Sequence, residues 1–193
     1  NAQLYSVKVL NSEGKGTLNQ AILGIQWAVS HGMQIISMSW NLIDLNSALR
    51  NAVDAAYNQG VLLVGAAGNV GEIQSGLVGC PACYESVIAV SATKENNVHL
   101  ESSCVGEEIE LAAPGEMVYS IGFDNTTWWG TGTSYATAYV SGTAALVWAK
   151  NPSLTNAQVR AILTGTAVDL QPSDGLDRDI FYGYGLVNAS AAV

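Results

Sequence analysis

Ser134 lies in the stretch GTGTSYATAYVSG, residues 130–142, where glycine and small hydroxyl residues lead directly into a helix pattern. A serine in the first turn of a helix lies beside unpaired backbone N–H groups and the positive end of the helix dipole. Both would stabilise an oxyanion formed when the serine oxygen attacks a carbonyl group. The stretch indicates a nucleophile, although a serine that only caps the helix fits the same pattern.

A side-chain amide at the end of an apolar run is the second candidate group. Asn69 follows Gly68 directly after the run VLLVGAA, residues 61–67. Its NH2 group is a suitable second donor for an oxyanion, and loss of one such donor typically costs roughly 3 kcal/mol of transition-state stabilisation. An asparagine after a glycine also fits a left-handed turn, so the spacing alone leaves both interpretations open.

Strand patterns and helix patterns alternate along much of the chain. We predict strands at residues 4–10, 34–40, 61–67, 86–93 and 108–115. We predict helices after the capping boxes Thr17–Gln20 and Thr155–Gln158, and at residues 47–59 and 134–150. The alternation predicts an α/β fold, a three-layer sandwich with a mostly parallel central sheet, with residues 1–193 as a single domain.

The ends of the predicted strands bring the candidate groups together. Ligands of parallel sheets bind beyond the carboxyl ends of the strands. Three segments leave strands at that edge: Ser39–Asn41, Gly65–Asn69 and the approach to Ser134. If the strands are parallel, these segments converge, which favours a joint chemical role for Ser134 and Asn69.

The composition excludes several classes of partner. Asp and Glu outnumber Lys and Arg by 16 to 7, and the chain has no basic cluster, which argues against nucleic acid. No apolar run is long enough to span a bilayer, and the first residues lack a signal-peptide pattern. Because the chain begins inside a predicted strand, we expect further sequence before it.

The three cysteines have more than one interpretation. Cys80 and Cys83 have CxxC spacing, but a predicted strand follows them where a redox motif would have a helix. A zinc site would need a fourth ligand besides Cys80, Cys83 and Cys104, and only His31 and His99 are available. We favour small buried apolar residues, and a disulfide or a metal site remains open.

The motifs, taken in order, resemble those of the subtilisin-like serine proteases, the subtilase family. GTSYATAYVSG is similar to the family's serine motif, usually GTSMASPHVAG, and VLLVGAAGN is similar to the strand that ends in its oxyanion asparagine. Further similar blocks, in the family's order, are residues 4–39, 78–93, 111–115 and 183–193. The resemblance covers nearly the whole chain. It implies that the chain forms part of a subtilisin-like fold.

The resemblance implies hydrolysis of peptide bonds in a polypeptide substrate. Ser134 would attack the scissile carbonyl group. Asn69 and the Ser134 backbone N–H would hold the oxyanion, with Thr133 nearby. Further residues would contact the substrate, either by pairing with its backbone as an added strand or by lining the first specificity pocket: Ser39, Trp40 and Asn41 in the strand, and Ala66, Ala67 and Gly68 in the pocket wall.

Two segments near the site depart from the family's pattern. The substrate strand, usually Ser-Leu-Gly-Gly, is Ser39-Trp40-Asn41-Leu42 here, so we expect a bulkier rim and a narrower cleft. Tyr135 replaces the usual methionine after the serine, and its hydroxyl group is expected to alter the site.

The acid and base of a catalytic triad are not among the motifs of this chain. A serine nucleophile needs a base, and the base needs an orienting acid. The family carries its Asp and His before the region where this chain begins, so we expect them upstream and expect this chain alone to be inactive. We interpret His31 and His99 as surface or structural histidines.

Three functions are consistent with parts of this pattern. A serine endopeptidase is favoured, and a catalytically inactive pseudoprotease that binds peptides is the alternative. A nucleotide-binding α/β domain shares the fold class but would need a phosphate motif, which the chain lacks. By resemblance, secretion is favoured over an intracellular location, and calcium is a possible cofactor. Asp174, Asp177 and Asp179 could gather around calcium, although their spacing fits no EF-hand loop.

Overall fold

The computed structural model describes residues 2–42, 45–70, 77–122, 126–171, 175 and 177–193. Four strands form a parallel sheet in the order β1-β2-β3-β4. They are β1 Ile35–Met38, β2 Leu62–Ala66, β3 Val87–Thr93 and β4 Ile109–Pro114. The sheet is parallel throughout, as predicted, so the carboxyl ends of its strands lie at one edge.

Five helices accompany the sheet within the described residues. They are α1 Leu18–Ser30, α2 Ser47–Asn58, α3 Thr133–Lys150, α4 Asn156–Gly165 and the short α5 Ala189–Ala192. Both predicted capping boxes are present, at the N-termini of α1 and α4. No helix among the described residues is long and apolar enough to cross a membrane.

Helices cover both faces of the sheet and make three layers. Successive side chains of a strand point to opposite faces, so alternate residues of β2 enter different apolar clusters. Leu62 and Val64 pack with residues of α3 and α4, whereas Leu63 packs with residues of α1 and α2. The predicted three-layer α/β sandwich is therefore confirmed.

A buried ion pair joins α4 to the sheet. Arg160 Nε donates to Glu110 Oε1 at 2.7 Å, Arg160 Nη2 donates to Glu110 Oε2, and Arg160 Nη1 donates to the Glu85 carbonyl oxygen at 2.9 Å. Burial disfavours the charged guanidinium, but the hydrogen bond and the charge of Glu110 outweigh this and raise the pKa of Arg160. The pair holds the α3–α4 side of the molecule on β4.

The predicted strand at residues 4–10 is wrong. None of the described strands pairs with this segment, and Leu4 is 99% exposed. Val9 is half-buried and lies against Gly24 of α1. Alternating apolar residues fit a pleated strand, but a strand also needs a neighbour to accept its backbone hydrogen bonds, and periodicity carries no information about that neighbour.

A two-stranded antiparallel hairpin precedes α3 and was not predicted. It consists of β5 Val118–Ile121 and β6 Thr127–Gly130. Its base is tied to the chain beyond β6, because the Met117 backbone N–H donates to Thr131 Oγ1 at 3.0 Å and the Gly132 N–H donates to the Gly115 carbonyl at 2.7 Å. The hairpin therefore delivers the chain directly to the start of α3.

Candidate active site

The segments expected to converge do meet at the carboxyl edge of the sheet. Ser134 is the second residue of α3, and Ser39 follows β1. Ser39 Oγ donates to the Ser134 carbonyl oxygen at 3.0 Å, and Ser134 Oγ donates to the Ser39 carbonyl oxygen at 3.3 Å. The two reciprocal hydrogen bonds hold the segment after β1 against the start of α3.

The Asn69 side chain is oriented by Thr133. Asn69 Oδ1 accepts from the Thr133 backbone N–H at 2.8 Å and from Thr133 Oγ1 at 3.1 Å. Because a backbone N–H can only donate, the Asn69 atom that faces it is the oxygen, and the NH2 group points away. Asn69 is exposed and is absent from the residues with positive φ, so the left-handed turn interpretation is wrong.

The start of α3 leaves a backbone donor beside the Ser134 hydroxyl. The N-cap residue is Gly132, which has no side chain to cap the helix, so the interpretation of Ser134 as the N-cap is wrong. The Ser134 backbone N–H has no hydrogen-bond acceptor among the described residues. An unpaired N–H at a helix N-terminus is a donor for an anion.

Two glycines let the backbone segments approach this closely. Gly132 has φ 146°, and a Cβ atom there would lie 3.1 Å from Asn69 Oδ1. Gly68 has φ 118°, and a Cβ atom there would lie 2.9 Å from the sulfur of Cys104. Both values of φ lie in the region that favours glycine, so a larger residue at either position would strain the backbone and displace Asn69.

A loop that the sequence analysis did not assign to the site supports the residues 39–42 and 66–68. The Gly79 N–H donates to the Ala67 carbonyl oxygen at 2.8 Å. Cys80 and Leu42 exchange two backbone hydrogen bonds of 2.8 and 2.7 Å. Ala66, Ala67 and Gly68 themselves are buried. The close spacing of Gly79, Cys80 and Cys83 was the sequence signal for this loop.

The cysteines differ from the favoured interpretation. Cys80 and Cys83 form a disulfide within this supporting loop, and Cys104 is free and buried against Gly68. Only Cys104 therefore behaves as a small buried apolar residue. CxxC spacing allows the disulfide here without a following helix, because the loop turns within four residues to bring both sulfur atoms together.

An open groove runs beside the segment after β1. Its volume is about 380 Å³, and it lies between residues 9–21 and residues 39–42. Trp40 lines this groove, but it is half-buried and also packs against the apolar cluster beneath α1 and α2. Its indole therefore fills part of the protein interior as well as the rim.

The two histidines make contacts with structural partners. His31 caps the C-terminus of α1 and stacks on Trp27, with ring centroids 4.0 Å apart. His99 packs edge-on against Phe181 and Tyr182, and its backbone N–H donates to the Tyr182 hydroxyl at 2.9 Å. Both rings are therefore engaged by structural neighbours.

One of the acidic residues considered for calcium binds backbone N–H groups instead. Asp179 Oδ1 accepts from the backbone N–H groups of Phe181 and Tyr182, at 2.6 and 2.7 Å. Asp174 lies outside the described residues. Among the residues that are described, no group of three or more His, Cys, Asp or Glu could hold a metal ion. Calcium stays a prediction from the resemblance.

Comparison with known proteins identifies the family. The model of the subtilase family of peptidases matches residues 1–185. The chain belongs to the subtilase family. It is 44% identical over 193 residues to subtilisin DY of Bacillus licheniformis, and this match covers all of the chain and 68% of that protein. It is 43% identical over 192 residues to subtilisin NAT of Bacillus subtilis subsp. natto, covering 99% of the chain and 49% of that protein.

Solved subtilase structures share the fold. A psychrophilic subtilisin-like protease from an Antarctic Pseudoalteromonas superposes with a TM-score of 0.84 at 21% identity, covering 96% of this chain and 75% of that one. Sphericase superposes with a TM-score of 0.80 at 33% identity, covering 93% of this chain and 66% of that one. The predicted family and fold are both confirmed, and the chain spans between half and three quarters of the length of these subtilases.

Proposed function

We propose that this chain supplies the nucleophile, the oxyanion donors and part of the substrate cleft of a serine endopeptidase. Membership of a peptidase family supports the reaction class. The observation that carries the assignment of residues is the hydrogen bonding of Asn69. Its oxygen is held by Thr133, the residue before Ser134, so its NH2 group is left to donate at the start of α3, where the Ser134 N–H is also unpaired among the described residues.

In the proposed reaction, Ser134 Oγ gives its proton to a base and bonds to the carbonyl carbon of the scissile peptide. The carbonyl oxygen becomes an oxyanion, which accepts hydrogen bonds from Asn69 Nδ2 and the Ser134 N–H. The C–N bond then breaks, the amine leaves with the proton, and water hydrolyses the acyl-enzyme ester to restore the serine. The hydrogen bonds from Thr133 to the Asn69 oxygen support this role, because they fix the side chain that would donate.

The base and its orienting acid belong, in this proposal, to a segment of the protein outside these 193 residues. We infer that Ser39–Asn41 pairs with the substrate backbone, and that Ala66, Ala67 and Gly68 form one wall of the first pocket. The reciprocal bonds between Ser39 and Ser134 support this, because they bring a strand-like segment to the nucleophile. Without the base this chain alone would lose most of the rate.

We infer that the protein acts outside the cell. The Cys80–Cys83 disulfide fits an oxidising compartment. One relative, 40% identical over 190 residues, is the minor extracellular protease Epr of Bacillus subtilis.

The competing function is that of a pseudoprotease that binds peptides without cleaving them. It is favoured by the changed residues after Ser39, where Trp40 and Asn41 alter the strand expected to hold substrate. The two functions share the fold and the groove and differ in whether Ser134 is a reactive nucleophile.

A fluorophosphonate probe on the full-length protein separates these functions. We expect the protein to be labelled, and Ser134→Ala to abolish labelling. Ser141→Ala is the matched control, because Ser141 lies in the same helix and its hydroxyl bonds to Thr137 and Ser37. Labelling that persists in Ser134→Ala, or a folded full-length protein that is never labelled, would contradict the proposal.

A further inference from the structure

A loop of residues 79–83, which we call the cysteine loop, contacts both segments expected to bind substrate. The Gly79 N–H donates to the Ala67 carbonyl oxygen at 2.8 Å, in the proposed wall of the first pocket. On its other side, Cys80 forms an antiparallel bridge with Leu42 through backbone hydrogen bonds of 2.8 and 2.7 Å. The cysteine loop therefore joins the segment after β1 to the segment after β2.

Asn41 packs directly on the cysteine loop. A Cβ atom added to Gly79 would lie 2.7 Å from Asn41 Cβ and 2.9 Å from Asn41 Cγ, so the Asn41 side chain lies close against the Gly79 backbone. A Cβ atom added to Gly68 would lie 3.1 Å from Asn41 Nδ2. Contacts as close as these transmit displacements, because packed atoms have no free space to absorb them. A shift of Gly79 would therefore move Asn41.

The far end of the cysteine loop is anchored in the body of the protein. Tyr84, the next residue, is 3% exposed, and its hydroxyl group donates to the Asn46 carbonyl oxygen and accepts from the Asn46 N–H, both at 2.9 Å. The disulfide connects Cys80, beside the substrate segments, to Cys83, beside this anchor. A hydrogen bond from the Cys83 N–H to the Gly79 carbonyl oxygen spans the same turn, but at 3.2 Å it lies at the long end of the usual range. The disulfide is therefore the stronger tie across this turn.

A thiol reductant can open this tie. Cys83 is half-buried and Cys80 is 1% exposed, so Cys83 is the more accessible of the two. The thiolate of a dithiol attacks the Cys83 sulfur and forms a mixed disulfide, and Cys80 leaves as a thiolate that takes up a proton. The second thiolate of the reductant then attacks the reductant's own sulfur in the mixed disulfide. This step forms the cyclic, oxidised dithiol and releases Cys83, which is protonated in turn.

We propose that the disulfide of the cysteine loop is a redox-sensitive positioning element of the substrate cleft. When it is opened, the segments after β1 and β2 lose a fixed support and bind substrate more weakly. Asn69 is held separately, by Thr133 at the start of α3, so reduction should raise KM and change kcat little. The protein would bind substrate fully only in an oxidising compartment. The inference rests on the substrate contacts of the proposed function, although not on the reactivity of Ser134.

The first test measures binding without cleavage. The full-length protein carries Ser134→Ala, and the probe is fluorescein-labelled β-casein, an unfolded polypeptide without cysteine. Fluorescence anisotropy gives the Kd before and after treatment with dithiothreitol, and circular dichroism checks that the protein stays folded. Closing a loop this short with a disulfide corresponds to roughly a 20-fold shift toward the closed form. We therefore expect dithiothreitol to raise the Kd roughly 5- to 20-fold, and reoxidation to restore it.

The matched control is the double variant Cys80→Ser, Cys83→Ser in the same background. It should bind the probe as weakly as the reduced protein, with the same Kd in the presence and absence of dithiothreitol. Cys104→Ala removes the free cysteine and keeps the disulfide, so the response should remain. A Kd that the reductant does not change, or a response that persists in the double variant, overturns the inference.

Kinetics of the active full-length protein separate a positioning role from a loss of the fold. On reduction, we expect the KM for an internally quenched peptide to rise by about the same factor as the Kd, with kcat little changed. A fall in kcat with an unchanged KM is what partial unfolding would give, and it overturns the inference. Absence of hydrolysis, with a probe that still binds in a redox-dependent way, overturns the proposed function alone. A Ser134→Ala protein that binds no probe in either redox state overturns the substrate contacts and this inference with them.

Discussion

Replacing Gly130 with alanine should destabilise the protein through a single steric contact. Gly130 lies in β6 and has no positive φ, so its backbone conformation suits alanine. Its new Cβ atom would lie 2.6 Å from Tyr135 Cε2 and overlap the Cζ atom and the hydroxyl oxygen of the same side chain. Carbon atoms in contact are about 3.5 Å apart, so the ring must move by about 1 Å or more. Overpacking of this kind typically costs 1 to 3 kcal/mol, and we expect about 2 kcal/mol.

Removing the ring should remove this cost. In a Tyr135→Ala background the three atoms nearest to the Cβ atom of Gly130→Ala are removed, and we expect the lower entropy of the unfolded chain to be the main remaining effect. Such substitutions stabilise by roughly 0.4 to 1 kcal/mol. The two substitutions should therefore be coupled by at least about 2 kcal/mol, well above the 0.3 to 0.5 kcal/mol error of additivity.

The coupling can be measured by urea unfolding of four proteins: the parent, each single variant and the double variant. All four should carry Ser134→Ala so that self-digestion does not distort the curves. Gly142→Ala is the control, because Gly142 lies within α3 and a Cβ there would meet nothing within 4 Å. It should stabilise the protein by up to about 1 kcal/mol. Equal effects of Gly130→Ala in both backgrounds would refute the placement of the Tyr135 ring against Gly130.

Two further predictions concern the oxyanion donor and the buried ion pair. Asn69→Asp keeps the oxygen that accepts from Thr133 but removes the NH2 donor. In subtilisin, removal of an oxyanion-hole donor lowers kcat roughly 100- to 1000-fold. We expect a loss of kcat of this size here, with little change in KM. Steady-state kinetics decide this, and an unchanged kcat would remove Asn69 from the proposed mechanism. Arg160→Met leaves the Glu110 carboxylate, 8% exposed, without its partner and should lower the free energy of unfolding by roughly 3 to 5 kcal/mol. Urea unfolding checks it, and a loss below about 1 kcal/mol, as for an exposed pair, would contradict it.

Local features predicted four of the five described helices, with starting points within one residue; the short α5 was not predicted. Each capping box satisfies N–H groups of its own first turn, so the residues that form it are close in sequence, and both boxes are present. The alternation of strands and helices predicted the three-layer sandwich. Parallel strands need long connections, and here helices form those connections and cover the sheet. The order of the motifs also identified the family correctly.

The sequence alone placed Ser134 at the start of a helix and Asn69 at the end of a strand, since both positions follow from neighbouring residues. Only the tertiary structure decided which atom of Asn69 faces Thr133, that residues 4–10 pair with no described strand, and that Tyr135 fills the space above Gly130. Each of these depends on atoms brought together from distant parts of the chain or across a turn. Periodicity and capping depend on residues that are close in sequence. The tertiary contacts named above depend instead on how the helices and the sheet pack against each other.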